Sequence, residues 1–149
     1  MNEVERAGAL FLEGCNCAQS VFTAFCHRFG IDEETAKRIS AGLGGGVGRM
    51  REVCGAVSGM TMVLSNKFAC TDPNNKEKKA ALYALIQKAA GDFKAGNGSI
   101  ICRELLGLTE KCSCPVPEDR TKEYYKKRPC SELVHMAAEI AEKYLSDAE

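Results

Sequence analysis

The chain has 149 residues, of which 45% are hydrophobic and 27% charged, a balance typical of a globular protein with its own core. Its 20 basic and 20 acidic residues give a formal net charge of zero, which argues against a nucleic acid as its main partner. Nine cysteines are the unusual feature, and an odd number fits a simple secreted disulfide framework poorly.

Helical periodicity begins near the amino terminus. Apolar side chains recur at helical spacing in the second segment, at Ala18, Val21, Phe22, Phe25 and Phe29, and this pattern predicts an amphipathic helix. Asn16 is suited to capping its start and Gly30 to ending it. Asp32 is a suitable N-cap for the helix that follows.

A glycine-rich segment then interrupts the helical pattern. Five of the seven residues 42–48 are glycine, which predicts a connection with unusual backbone angles. Its amides could alternatively form an anion-binding nest. The uncharged segment 53–64 is hydrophobic all round, as expected of a helix buried within a bundle.

The second half continues the helical pattern. Residues 82–93 predict a long amphipathic helix that ends at the glycines of 96–98, residues 101–106 a short helical piece, and residues 133–144 the last helix. The segment 111–117 is a loop with cysteine and proline. No stretch alternates with period two, so we predict an all-α, single-domain helical bundle of about five to seven helices over residues 1–149.

The cellular compartment is predicted from two features that the sequence does not show, a membrane span and a secretory signal. The longest apolar run is too short to span a bilayer, and the polar residues 1–6 do not resemble a secretory signal. We therefore expect a cytoplasmic protein without membrane association, whose thiols are kept reduced.

Four cysteines are predicted at or near helix starts. Cys17 follows the capping Asn16, Cys54 opens the buried helix, Cys102 lies three residues after Ser99, a candidate N-cap, and Cys130 begins the last helix. First-turn amides lack intrahelical partners and the helix dipole is positive there, so a thiolate or an anionic cluster is stabilised and the thiol pKa falls. We expect the four to converge on one negatively charged centre.

The hexapeptide CGAVSG, from Cys54 to Gly59, resembles the CGAxxG signature of the C_GCAxxG_C_C family of redox-active proteins. The upstream NCAQ at Asn16, the glycine run, the CRELLG at Cys102 and the late Cys130 agree in order. The resemblance covers nearly the whole chain from about residue 13. It implies a helical domain with Cys17, Cys54, Cys102 and Cys130 as the family's cysteines. A related domain in multihaem-type redox proteins makes an iron–sulfur centre a natural suggestion, but this chain has no Cys-x-x-Cys-His haem site.

The sequence leaves open whether the four cysteines bind a metal centre or exchange electrons as disulfides. The spacings of a zinc ribbon, a thioredoxin-like site and a ferredoxin are absent. Four thiolates could hold an iron–sulfur cluster or a metal ion such as zinc, or two pairs of thiols could exchange electrons as disulfides without any cofactor. The first function predicted is therefore redox or electron transfer with an unidentified redox partner. The alternatives are a metal-binding or metal-delivery module and a structural domain whose cysteines pack.

Small residues near Cys54 are candidates for contact with a cofactor. Gly55 and Gly59 lie one helical turn apart and allow another helix, or a cofactor, to approach the backbone. Gly46 and Gly48 belong to the glycine run that could form the nest. Close-packing glycines on an apolar helix are also compatible with a homodimer.

Three arginines flank the cysteines: Arg49 and Arg51 precede Cys54, and Arg103 follows Cys102. They could hold a thiolate or an anionic substrate, or simply be solvated. The lysine-rich stretch 122–128 is better interpreted as a solvated helix face than as a nucleic-acid patch.

The five remaining cysteines are additions to the family pattern. Cys15 with Cys17, and Cys112 with Cys114, form Cys-x-Cys pairs that suit one metal ion better than a disulfide. Chance pairing of the loop cysteines is an equally open alternative. Cys26 and Cys70 are expected to be structural or incidental.

Overall fold

The computed structural model describes residues 1–108 and 114–148, and these parts fold into eight α-helices. Within them the only extended pairing is an isolated antiparallel bridge between Val53 and Ile101. The all-α class is therefore confirmed. Six of the helices have seven residues or more, in agreement with the predicted five to seven, and two are shorter. The helices are α1 (Glu3–Leu12), α2 (Cys17–Phe25), α3 (Glu33–Ser40), α4 (Gly55–Phe68), α5 (Lys76–Asn97), α6 (Cys102–Leu105), α7 (Lys122–Lys127) and α8 (Cys130–Asp147).

Several helix starts follow directly from the local sequence. Asn16 accepts a hydrogen bond from the Gln19 amide at 2.9 Å while the Gln19 side chain accepts from the Asn16 amide, a complete capping box. Asp32 caps α3 as predicted. Ser99 does not cap α6, because the N-cap position falls on Ile101; the Ser99 hydroxyl instead accepts from the Ile101 amide and donates to Glu104.

The core lies between α1, α2, α4 and α8, with α5 packed on α4 and α8 and α3 packed on α2. The apolar faces predicted from sequence supply its largest fully buried side chains, among them Phe11, Phe22, Phe25, Met60 and Phe93. The uncharged helix α4 is central, as expected from its composition. No helix in the described parts of the chain is long and apolar enough to cross a membrane.

The glycine-rich segment is a tightly closed turn. Residues 45–49 all have positive φ, from 54° to 69°, and Arg51 follows at 60°. The amides of residues 47–52 donate to the carbonyls of residues 42–47. These amides are engaged within the loop and are not available to an anion, so the loop is neither a flexible connection nor a nest built from them. The positive φ of Val47 is strained, because a β-branched side chain rarely occupies that region.

Candidate functional site

Cys17, Cys54, Cys102 and Cys130 line the same small cavity, of about 60 Å³. Three of them are the first residues of α2, α6 and α8, and Cys54 is the N-cap residue of α4. The structure thus brings together four cysteines that are spread over more than one hundred residues of sequence. Their placement at helix starts is the predicted one, while their chemical role stays a prediction.

Two of the cysteines are held by the Val53–Ile101 bridge. The Cys54 amide donates to the Ile100 carbonyl at 2.8 Å, and the Cys102 amide donates to the Glu52 carbonyl at 2.6 Å. These two bonds fix the start of α4 beside the start of α6. Gly46 packs against the same place, since a Cβ on Gly46 would come within 2.6 Å of the Cys102 Cβ; a side chain there would displace the cysteine.

The other two cysteines interact with each other. Cys17 is the largest cause that lowers the pKa of Cys130, to about 7. In turn Cys130 is the largest cause, followed by burial, that raises the pKa of Cys17 well above its usual value. The pair therefore contains one sulfur that ionises near neutral pH and one that keeps its proton.

Cys54 and Cys102 do not show the lowered thiol pKa that their positions at helix starts predict. Burial raises the pKa of Cys54 to about 12, although the nearby amides of Ala56 and Val57 act in the opposite direction. Burial also raises the pKa of Cys102, despite a hydrogen bond from Arg51 Nη1 to Cys102 Sγ at 3.7 Å. The prediction that every helix start lowers its thiol pKa is therefore wrong for three of the four. For Cys54 and Cys102 the largest cause of the raised pKa is burial, and for Cys17 it is the effect of Cys130, with burial second.

Arginines surround Cys130. The guanidinium groups of Arg128, Arg51 and Arg120 each lower the pKa of its thiol, after the larger effect of Cys17. Arg51 is only 7% exposed, and its Nε is buried without a hydrogen-bond partner. Arg120 donates to the carbonyls of Phe11 and Cys15 at 2.6 and 2.8 Å. Both acceptors are neutral, so these two bonds do not neutralise the charge of the guanidinium group.

A second, larger cavity of about 380 Å³ adjoins the first. The two share Arg51, Arg120, Tyr124 and Cys130 among their lining residues. Cys130 is therefore the one of the four cysteines that lines both cavities, at their junction.

Of the glycines that were predicted to contact a cofactor, three line a cavity and one packs against a neighbouring helix. Gly55 and Gly46 line the inner cavity, whereas Gly48 lines only the outer one. Gly59 faces α2 instead, where an added Cβ would lie 2.9 Å from the Ala18 carbonyl and from the Val21 Cβ. The helix-packing alternative accounts for Gly59, and contact with a cofactor stays a prediction for the others.

A metal or iron–sulfur centre was tested on the geometry of the donors. Four thiols on one cavity are chemically suited to iron or zinc. However, the described residues contain no group of three or more His, Cys, Asp or Glu side chains placed to hold a metal ion. The donor set fits such a centre, but its spacing in the described residues does not.

The remaining predicted residues lie away from the inner cavity. Cys15 is half-buried and Cys26 is buried, and neither is among the residues that line the inner cavity. Cys114 is exposed, and Cys112 lies outside the described residues. Arg103 bonds Glu52 at 3.2 Å, outside both cavities.

Sequence reasoning missed Arg120, Tyr124 and Arg128. Tyr124 and Arg128 belong to the stretch 122–128 that was interpreted as a solvated helix face, and Arg120 lies between that stretch and the loop 111–117. No periodicity marks them. Only Arg128, two residues before Cys130, carried a local signal, because a cation so close in sequence can influence the thiol.

A helical fold with four cysteines around one arginine-flanked cavity defines a class of thiol protein. The profile of the C_GCAxxG_C_C family, described as "Putative redox-active protein (C_GCAxxG_C_C)", matches residues 15–144. The chain belongs to this family. Neither a curated protein nor a solved structure matches it.

Proposed function

We propose that this protein is a thiol–disulfide redox protein in which Cys130 is the reacting thiolate and Cys17 its resolving partner. The observation that carries the proposal is that Cys17 and Cys130 line the same inner cavity, and that Cys130 also lines the outer one. The effect of Cys17 in lowering the pKa of Cys130 supports the same pairing. A thiolate is the nucleophile in disulfide exchange, and a neighbouring thiol completes the disulfide.

The proposed couple is a two-electron one. The reduced pair, Cys130 thiolate with Cys17 thiol, gives up two electrons and the Cys17 proton when the Cys17–Cys130 disulfide forms. An unidentified redox partner accepts or returns the electrons. This chemistry suits the reducing cytoplasm that the sequence predicts.

A second candidate is a four-cysteine iron–sulfur or zinc centre, acting in electron transfer or in metal binding alone. The shared cavity favours it, because all four thiols line one space. It requires the four sulfurs to move closer together than they are here. A purely structural role for the cysteines is the remaining alternative.

The test begins with anaerobic purification and analysis of iron, zinc and acid-labile sulfide. We expect a colourless protein without stoichiometric metal, in which a dithiothreitol redox buffer reversibly forms one disulfide that peptide mapping assigns to Cys17 and Cys130. Cys17→Ser and Cys130→Ser should each lose this disulfide, whereas Cys70→Ser, outside both cavities, should keep it. Stoichiometric iron and sulfide would replace the proposal by the iron–sulfur candidate, and zinc alone by the metal-binding one.

A further inference from the structure

The outer cavity carries a strong excess of positive charge. Its described lining contains four arginines and a single carboxylate, Glu118. Glu118 pairs with Arg128 at 2.7 Å, so three guanidinium groups, Arg49, Arg51 and Arg120, line the cavity without an acidic partner among these lining residues. A cavity lined by one sign of charge concentrates ligands of the opposite sign.

The polar groups of Arg51 are incompletely used. Its Nη1 donates to the Cys102 sulfur, a weak acceptor, and its Nε is buried with no partner. A buried donor without a partner carries a free-energy penalty that an anionic ligand would remove. Arg51 lines both cavities next to Cys130, so an anion held there lies beside the reacting sulfur.

The size of the outer cavity limits the ligand to a small molecule. At about 380 Å³ it lies near the lower end of typical small-molecule sites, roughly 300–1,000 Å³. Proline residues at 115 and 117 form part of its wall, which gives apolar surface for the body of a ligand.

We infer that the outer cavity binds small disulfides that carry carboxylates, with Arg51 as the anchoring residue and the disulfide bond directed at Cys130. This assignment rests on the proposed thiol–disulfide function and names its substrate class. The Cys130 thiolate attacks one substrate sulfur, the substrate S–S bond breaks, and one substrate thiolate leaves. Cys17 then transfers its proton to that thiolate and attacks Cys130 Sγ, and the second substrate thiolate leaves. Two electrons pass from the cysteine pair to the substrate, and no other reactant is needed for one turnover.

The experiment compares three disulfides of similar size: dithiodipropionate, which carries two carboxylates, uncharged hydroxyethyl disulfide, and cystamine, which carries two ammonium groups. The reduced protein is oxidised by an excess of each, and the Cys17–Cys130 disulfide is followed by mass spectrometry. Each rate is divided by the rate of the same disulfide with mercaptoethanol under the same conditions, which removes intrinsic reactivity.

We expect the normalised rate of the anionic disulfide to exceed that of the uncharged one by about tenfold at low salt, and that of cystamine to fall below it. The differences should shrink as salt is added. Arg51→Met should remove most of the preference, because the anchoring charge is lost. Arg49→Met, at the outer cavity, provides a second variant if Arg51→Met does not fold. Arg38→Met is the matched control, since this exposed residue pairs with Glu34 on α3 and lines neither cavity, so it should keep the wild-type preference.

The two levels of proposal fail in different ways. Rates that do not depend on substrate charge, or that Arg51→Met and Arg49→Met lower equally for all three disulfides, would overturn the substrate class while the Cys17–Cys130 disulfide still forms. If none of the three disulfides forms that bond, the proposed function itself is wrong, and the substrate class with it.

Discussion

The inner cavity is lined by two cysteine thiols, Cys54 and Cys130, whose pKa values are shifted in opposite directions. The helix start that carries each thiol is treated as one wall of the cavity. Cys54, on the wall formed by the start of α4, is 4% exposed and its pKa is raised to about 12 by burial. Cys130, on the wall formed by the start of α8, has its pKa lowered to about 7 by the Cys17 thiol, with arginines adding to the effect. Both lie at helix starts, so the helix start alone does not decide how a thiol ionises. The donors and cations that face the sulfur decide it.

The largest effect should appear in the reactivity of the two walls. With its pKa lowered, Cys130 is ionised at pH 7 to a far greater extent than Cys54, whose pKa is raised. Because the thiolate is the nucleophile, we expect iodoacetamide to label Cys130 more than about a hundredfold faster than Cys54, measured peptide by peptide with mass spectrometry. Labelling of Cys130 should level off above about pH 7, whereas that of Cys54 should keep rising with pH beyond this point. Equal labelling of both at pH 7 would show that the walls do not differ.

The packing that places the Cys54 wall gives the next largest effect. A Cβ on Gly59 would lie 2.9 Å from the Ala18 carbonyl, so Gly59→Ala forces α4 away from α2 and should lower the free energy of unfolding by about 1–3 kcal/mol. Gly91→Ala is the matched control, because a Cβ at Gly91 on α5 meets nothing within 4 Å and the change should stabilise the helix by roughly 0.5–1 kcal/mol. Urea unfolding measures both variants, and equal stability for the two would contradict the tight α2–α4 contact.

Substitution of Cys17 can remove its hydrogen-bond donor, with alanine, or replace it by a hydroxyl group, with serine. Cys17→Ala deletes the largest single cause that lowers the pKa of Cys130, so that pKa should rise and labelling at pH 7 should slow by about fivefold, as a rise of one pKa unit from about 7 would give. Cys17→Ser keeps a hydroxyl donor at the same position and should recover part of the rate. Neither variant can form the Cys17–Cys130 disulfide. Identical rates for the Ala and Ser variants would show that the hydrogen bond is not what lowers the pKa.

Local sequence determined the elements but not the contrast between the walls. Helix periodicity and the caps at Asn16 and Asp32 were sufficient for the helices, because capping and amphipathicity act within one or two turns. The positions of the four cysteines at helix starts were predictable for the same reason. Their pKa values were not, because they depend on burial and on Arg51 and Cys17, which lie far from Cys130 in sequence. The closed turn of residues 42–48 was predicted as a connection, but its hydrogen bonds depend on the backbone path and no residue pattern marks them.

The smallest effect tests whether long-range charge contributes to the Cys130 wall. The Arg128 guanidinium lowers the pKa of Cys130 by charge alone, and its pairing with Glu118 at 2.7 Å partly neutralises it. Arg128→Met should therefore raise the pKa of Cys130 and slow labelling at pH 7 by about two- to threefold, in keeping with the modest energies of charge pairs that solvent still reaches. Glu118→Gln frees the Arg128 charge and should act in the opposite direction, lowering the pKa and speeding labelling by a similar or smaller factor. Added salt should weaken both changes, because it screens charges that are exposed to solvent. If both variants shift the labelling rate in the same direction, the effect comes from a rearrangement of the wall and not from its charge.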